Sequence, residues 1–498
     1  MRLSSLARLL SAALCVAVIA AGATPANAQF GGGGGLGGGG GGFGGGGGLG
    51  GGLGGGGGGG LGGGTNGASG VVVDADGVVR RNIVPDPSGE LTRQRIAQSV
   101  AGLDAELSKR SKLRKVSITR LERLLEQKLA AGQAPDDAML RLAGLTHVDY
   151  VFCYPDTGDI VLAGPAEPWA DDLAGRTRGV ATGRPTLLLE DLITALRAFP
   201  PAAAGAEPLI YCSIDPTEEG LAGMQQFLRQ PHFNPNRKPT QTEVSFFVEQ
   251  LRSRMGLQKV TVGGIPAGTH FAQVMVEADY RMKLIGIGLE RPPVRLKSYV
   301  HRANPAMVSR NALQRWYFVP DYDCLRVSED GLAMEVVGEG VKLIGEDEFV
   351  GQDGTRRASG QSNRASESYT KAFTKVYPKL AERSPVYAQL RNCIDLAVVA
   401  AFLQQRDVYG QAGWTMPVFA SEEAFPIETY NPPQQVATAV NAIWKNNTLV
   451  TPIGGGVEIR PTWALRDGNL QADAKGKVSA KRTAVGAPQL ADGQWWWD

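Results

Sequence analysis

His270 opens a segment that also carries Glu277 and Asp279. An imidazole beside a carboxylate is the pairing used for general-base work. On a helix, at about 100° per residue, Asp279 falls about 180° round from His270, and Glu277 lies about 10.5 Å further along the axis. Neither touches His270 directly, so a catalytic partner has to come from elsewhere in the chain. Pro320-Asp321-Tyr322-Asp323-Cys324 supplies two carboxylates at i and i+2. On an extended segment they share a face, where they could share a proton or a metal. His270, Asp321 and Asp323 are therefore the candidate catalytic residues. The plainer readings are a packed amphipathic helix for the first and a solvated strand end for the others. Phe271, Met275, Ala278 and Met282 form an apolar stripe, and Glu277 with Arg281 is an i,i+4 pair.

Other motifs are incomplete. Gly263 and Gly268 have the spacing of a phosphate-binding loop, but Thr269 and His270 stand where that loop needs Lys and then Ser or Thr. Thr269 reads instead as a helix cap. The four histidines, His147, His232, His270 and His301, make no metal-hydrolase spacing, and no G-x-S-x-G elbow occurs. No metal or cofactor is expected. Cys153, Cys212, Cys324 and Cys393 are far apart and sit in apolar stretches. They allow three disulfide pairings or four buried thiols.

These residues need elements to hold them. Val71-Val72-Val73 and Val78-Val79 flank Asp74-Ala75-Asp76-Gly77, a strand, turn, strand signal. Thr119-x-x-Glu122 and Thr240-x-x-Glu243 read as capping boxes opening helices. Val148–Tyr154 and Ile160–Ala163 form a hairpin, and Leu209–Ile214 and Lys259–Val262 read as strands. His270–Lys283 reads as a helix and Leu284–Leu289 as a strand. Trp316–Phe349 reads as a β-meander, and Ile394–Leu403, apolar but for Asp395, as a core helix too short to span a membrane. Helices segregate only partly from strands, so the expected fold class is α+β, a mixed sheet with packed helices.

The N-terminal segment runs from basic Arg2 and Arg8 through apolar Leu9–Ala21 to small residues at Ala26-Asn27-Ala28. That is the order of a cleavable secretory signal, with a cut after Ala28. Export removes two of the 51 Lys and Arg residues, leaving 49 against 49 Asp and Glu. A formally neutral chain argues against a nucleic-acid partner. Between residues 31 and 64 all but Leu36, Phe43, Leu49, Leu53 and Leu61 are Gly. Such a stretch buries nothing and behaves as a disordered tether of about 32 Å average span. Residues 108–123 hold seven Lys or Arg and one acid, Glu122, which reads as a solvated helix face. The chain ends in Trp495-Trp496-Trp497-Asp498, a sticky aromatic hook.

The organisation expected is therefore a signal peptide at 1–28 and a Gly-rich linker at 29–70. An N-terminal α/β region at 71–204 and a main α+β domain at 205–465 follow, then a polar tail at 466–498. Three segments, Tyr211–Leu221, His270–Lys283 and Trp316–Cys324, resemble a family of exported bacterial proteins typical of planctomycetes, the domain of unknown function numbered 1598. The resemblance spans roughly residues 145–460. It implies export and a shared fold, and no activity or catalytic residue comes with it. The expected function is that of a non-enzymatic envelope or extracellular protein, periplasmic, at the cell surface or secreted, which works by binding or as a structural component. The alternative is an exported hydrolase whose site assembles from distant residues such as His270 and Asp321. The partner expected is an envelope or extracellular component, with no membrane span in the mature chain. Surface contact would run through the basic 108–123 segment or Trp495, Trp496 and Trp497.

Overall fold

In the computed structural model the described residues are 70–201, 208–234, 236–303, 312–321, 324–338, 340–350, 356–358, 364–441, 443–445, 448–450 and 453–498. The expected signal peptide, the glycine tether up to residue 69, the 204/205 boundary and Asp323 lie outside them.

The larger sheet has nine strands. Their order is Val71–Val73, Val78–Arg81, Gln435–Ala437, Leu257–Gly263, Ile210–Asp215, Ile453–Ile459, Ala312–Pro320, Val341–Val350 and Arg356–Ala358. Two neighbour pairs run parallel, 314–318 with 453–457 and 78–79 with 435–436, and the rest antiparallel. The fold is thus α+β with a mixed sheet. A second, antiparallel sheet orders Leu325–Val327, Ala333–Val336, Tyr150–Tyr154, Asp159–Ala166, Ser111–Ser117 and Trp496–Trp497. Both sheets take strands from either side of residue 204.

Helices cover the larger sheet in two layers. The His270–Gly286 helix packs on strands Ile210–Asp215 and Ile453–Ile459, and the Arg364–Arg383 helix packs on Val341–Val350. Above them lies Pro385–Gln405, which touches the His270 helix and the Leu189–Ala198 helix. Its sequence is apolar and long enough to cross a membrane, yet it is fully enclosed, as a core helix. Local rules set several of these starts. Thr269 accepts from the Ala272 N–H, and Thr240 with Glu243 forms the full capping box. Pro385 opens its helix at the first turn, where its missing N–H costs no bond.

Several expectations change. Leu284–Leu289 is not a strand: the helix runs on to Gly286, because Ile285 continues the buried stripe from Met282. A Cβ on Gly286 would sit 2.0 Å from the Trp316 ring, so glycine lets the helix close onto the strand. The 316–349 meander is divided between sheets. Strands 312–320 and 341–350 pair with each other, while 333–335 finds its partner in 150–152. The helix expected to be capped by Thr119 is capped by Ser117, and Thr119 lies inside it, buried. The basic 108–123 run is no solvated helix face either. Ser111–Ser117 is a strand and Arg114 is wholly buried, because Asp498 and several carbonyls receive its guanidinium. The segment after residue 466 folds too, into the Lys477–Val485 helix and the last strand. Cys153, Cys212, Cys324 and Cys393 are buried free thiols.

Candidate functional site

Three helices converge on His270. Asp191 stands in the first turn of Leu189–Ala198, where the N-terminal dipole favours an acid. His270 stands in the first turn behind the Thr269 cap, and Gln389 one turn into Pro385–Gln405. The imidazole Nδ1 lies 2.9 and 3.0 Å from the two Asp191 carboxylate oxygens. Its Nε2 lies 3.2 Å from the Gln389 amide nitrogen. The ring is 1% exposed. Burial works against its charged form, and the Asp191 carboxylate, with Glu190 beyond it, more than offsets this and lifts its pKa to about 9. The Gln389 amide, as oriented here, suits the neutral ring, so protonation requires it to turn its oxygen to Nε2. The carboxylate is the stronger influence, because a full charge at this distance in a buried site outweighs an amide dipole.

Glu190 extends the cluster. Burial pushes its carboxyl up to about 8, helped by the neighbouring Asp191 and Glu428 charges and opposed by His270. The Tyr430 hydroxyl donates to it across 3.4 Å.

A relay of partners leads on from Gln389. Arg176 donates to Gln389 Oε1 at 2.6 Å and to the Glu277 carboxylate at 2.5 Å. Glu277 also accepts from Arg281 at 3.2 Å and from the Gly70 N–H at 2.8 Å. Burial alone would raise the Glu277 pKa, but the two guanidinium groups hold it below its ordinary value. His270 and Glu277 are thus joined, as their helical offset requires, only through side chains from other elements. Asp279 faces the other way. It pairs with Lys283 at 2.8 Å, and Lys283 also donates to the Ile214 and Gly455 carbonyls at 2.9 and 3.0 Å. Burial pushes the Asp279 carboxyl up to about 6 despite Lys283.

Asp321 does not join this site. Its N–H donates to the Gly340 carbonyl at 2.8 Å, and its half-exposed carboxylate lies 3.6 Å from Lys342. His270 takes Asp191 as its acid instead. Asp191, Gln389 and Arg176 carry no spacing motif in the sequence. The one legible signal is an acidic pair in an apolar run, Glu190-Asp191 within Leu187–Leu196.

A second imidazole shows the same design. His147 Nδ1 lies 2.7 Å from Asp149, and its Nε2 3.1 Å from Asp395. Burial and Arg391 oppose its charge, and the two carboxylates prevail and raise its pKa. Among the described residues no group of three or more His, Cys, Asp or Glu side chains has the arrangement to hold a metal ion.

The Gly-rich loop lines a recess of about 190 Å³ through Gly264, Ile265 and Pro266, with Thr194, Arg197, Ala198, Glu422 and Ile427 around it. His270 and Asp191 are not among the lining residues. Arg197 is tied down there, donating to the carbonyls of Phe419, Ser421 and Phe425 at 2.7–2.9 Å.

No curated protein matches this chain, and no solved structure does. The family match is narrower than the expected 145–460 and takes in His270, Glu277, Asp279 and Lys283, while Arg176, Asp191 and Gln389 fall outside it. Residues 212–299 match the family described as "Protein of unknown function (DUF1598)".

Proposed function

We propose that this is an exported protein that works by binding, at the cell envelope or outside the cell, and does not turn over a substrate at His270. The observation that carries the reading is the enclosure of that ring. It is 1% exposed, and its two nitrogens face Asp191 and Gln389. A general base needs a nitrogen within hydrogen-bond reach of the proton it removes. The Asp–His pair has the orientation of a catalytic dyad, which is what favours the hydrolase alternative. Gln389 stands where such a dyad would present its nucleophile.

Support for a binding surface comes from the end of the larger sheet where Leu257 pairs with Ala437 and Arg81 meets Glu290 at 3.8 Å. Leu257 is itself exposed there, and Ile83 and Leu289, also exposed, stand two residues after Arg81 and one before Glu290. Clustered exposed apolar side chains mark interaction sites. Export is supported by the order of basic, apolar and small residues over 1–28.

The test uses chain beginning at Gln29, unchanged or with Ile83→Ser and Leu289→Ser together, incubated with envelope fractions. Saturable retention of the unchanged chain, at least tenfold weaker for the double variant, is expected. Equal retention of the two, both folded, contradicts this surface.

A further inference from the structure

Strand Ser111–Ser117 would be an open edge of the smaller sheet if the last strand were absent. An open edge is a template for another strand. Here the Ser117 N–H donates to the Trp495 carbonyl at 2.8 Å, and Trp496 and Trp497 lie antiparallel to Val116 and Lys115. Beside them Arg114, 0% exposed, makes a two-pronged contact with the Asp498 side chain at 2.9 and 2.8 Å. The Arg114 guanidinium also lies 4.6 Å from the Trp496 ring centre, and the Lys115 ammonium 5.9 Å from that of Trp497.

The edge has partners besides its occupant: strand Ser111–Ser117 also pairs with Asp159–Ala166. Arg114 is held independently by the carbonyls of Ala143 at 2.8 Å and of Glu106 and Lys109 at 3.2 Å. Those groups fix the guanidinium but do not neutralise it, so its charge is left for a carboxylate to meet. The slot therefore selects on three grounds: main-chain pairing, aromatic faces over two cations, and a carboxylate for Arg114. The occupant hangs on a nine-residue connection, 486–494, most of it exposed. Fully extended, such a connection reaches about 30 Å.

We propose that this edge is a recognition slot for an aromatic strand ending in an acid, and that its partner in trans is the Trp495–Asp498 segment of a second copy of this chain. Exchange between two copies remakes each of these contacts twice, so the product is a closed pair. Its population is set by concentration.

Mixing two variants tests this. One chain lacks Trp495–Asp498 and offers an empty slot. The other carries Arg114→Met and offers a strand with no carboxylate receptor of its own. A one-to-one complex is expected by sedimentation, at concentrations where each alone is monomeric, and it should vanish when the second chain also carries Asp498→Lys. Two folded chains that stay monomeric on mixing overturn the proposal. If the shortened chain proves unfolded by circular dichroism, an otherwise full chain with Asp498→Lys takes its place, with a labelled peptide of residues 493–498 as probe. Binding at least tenfold tighter than to the unchanged chain supports the slot, and equal or absent binding overturns it.

Discussion

Arg176→Met lowers the stability of the folded chain by about 3–5 kcal/mol, the range for removing one partner from a buried ion pair. Arg176 and Glu277 are 5% and 0% exposed at their side chains, so the stranded carboxylate has no water to turn to. Arg281 at 3.2 Å and the Gly70 N–H at 2.8 Å remain, which neutralise it only in part. Gln389 loses its donor in the same step. The measurement is a urea unfolding midpoint at constant m-value. Adding Glu277→Leu to Arg176→Met should recover at least half of the loss, because it removes the buried carboxylate that Arg281 leaves only partly compensated. The exposed pair Arg237 with Glu243 is the contrast. Screened by solvent, it should lose far less when Arg237 becomes Met.

Stability falls as pH rises above neutrality, because the raised pKa values of both His270 and His147 act in that direction, and His147 supplies the test. Its folded pKa is raised above the ordinary 6.5 because Asp149 and Asp395 face its two nitrogens, against burial and Arg391. A raised pKa means that the folded state binds the proton more tightly than the unfolded state does. The contribution is therefore complete below pH 6.5 and disappears as pH climbs through the raised value. Glu190, lifted from 4.5 to about 8, adds a loss of the same sign across that interval. His147→Gln should flatten the profile above pH 6.5 by up to one proton, or about 1.4 kcal/mol per pH unit. Urea midpoints in a pH series measure this. A variant profile parallel to that of the unchanged chain would rule out the carboxylate clamp on His147.

The parts of this fold legible in the sequence are those that local chemistry decides. Thr240 with Glu243 and Thr269 cap the helices expected of them, because a cap needs only its next three residues. The Asp74–Gly77 turn forms as read, with Asp74 accepting from the Asp76 and Val78 N–H groups. The rest is decided by partners far away in the chain. Arg114 looks like one more solvated charge, and only Asp498, 384 positions later, makes its burial tolerable in free energy. The Trp triplet looks like a hook, and Trp495 is buried because an edge strand receives it. The same holds at the site. Helical geometry correctly separates His270 from Glu277 and Asp279, but it cannot name Asp191, 79 positions away, or Gln389, 119 away. Asp191 and Asp395 offer one usable clue: an acid inside an apolar run has to find a buried partner, and each finds a histidine.

His270, on this reading, belongs to a closed polar network and performs no turnover. The direct test is a hydrolase panel of carboxyl esters, phosphate esters, glycosides and peptides, run on the unchanged chain and on His270→Gln, with both checked for folding by circular dichroism. The expected result is no turnover in the unchanged chain that His270→Gln removes. Turnover by the unchanged chain that disappears in a folded His270→Gln variant would contradict it and make the Asp191–His270 pair an active site.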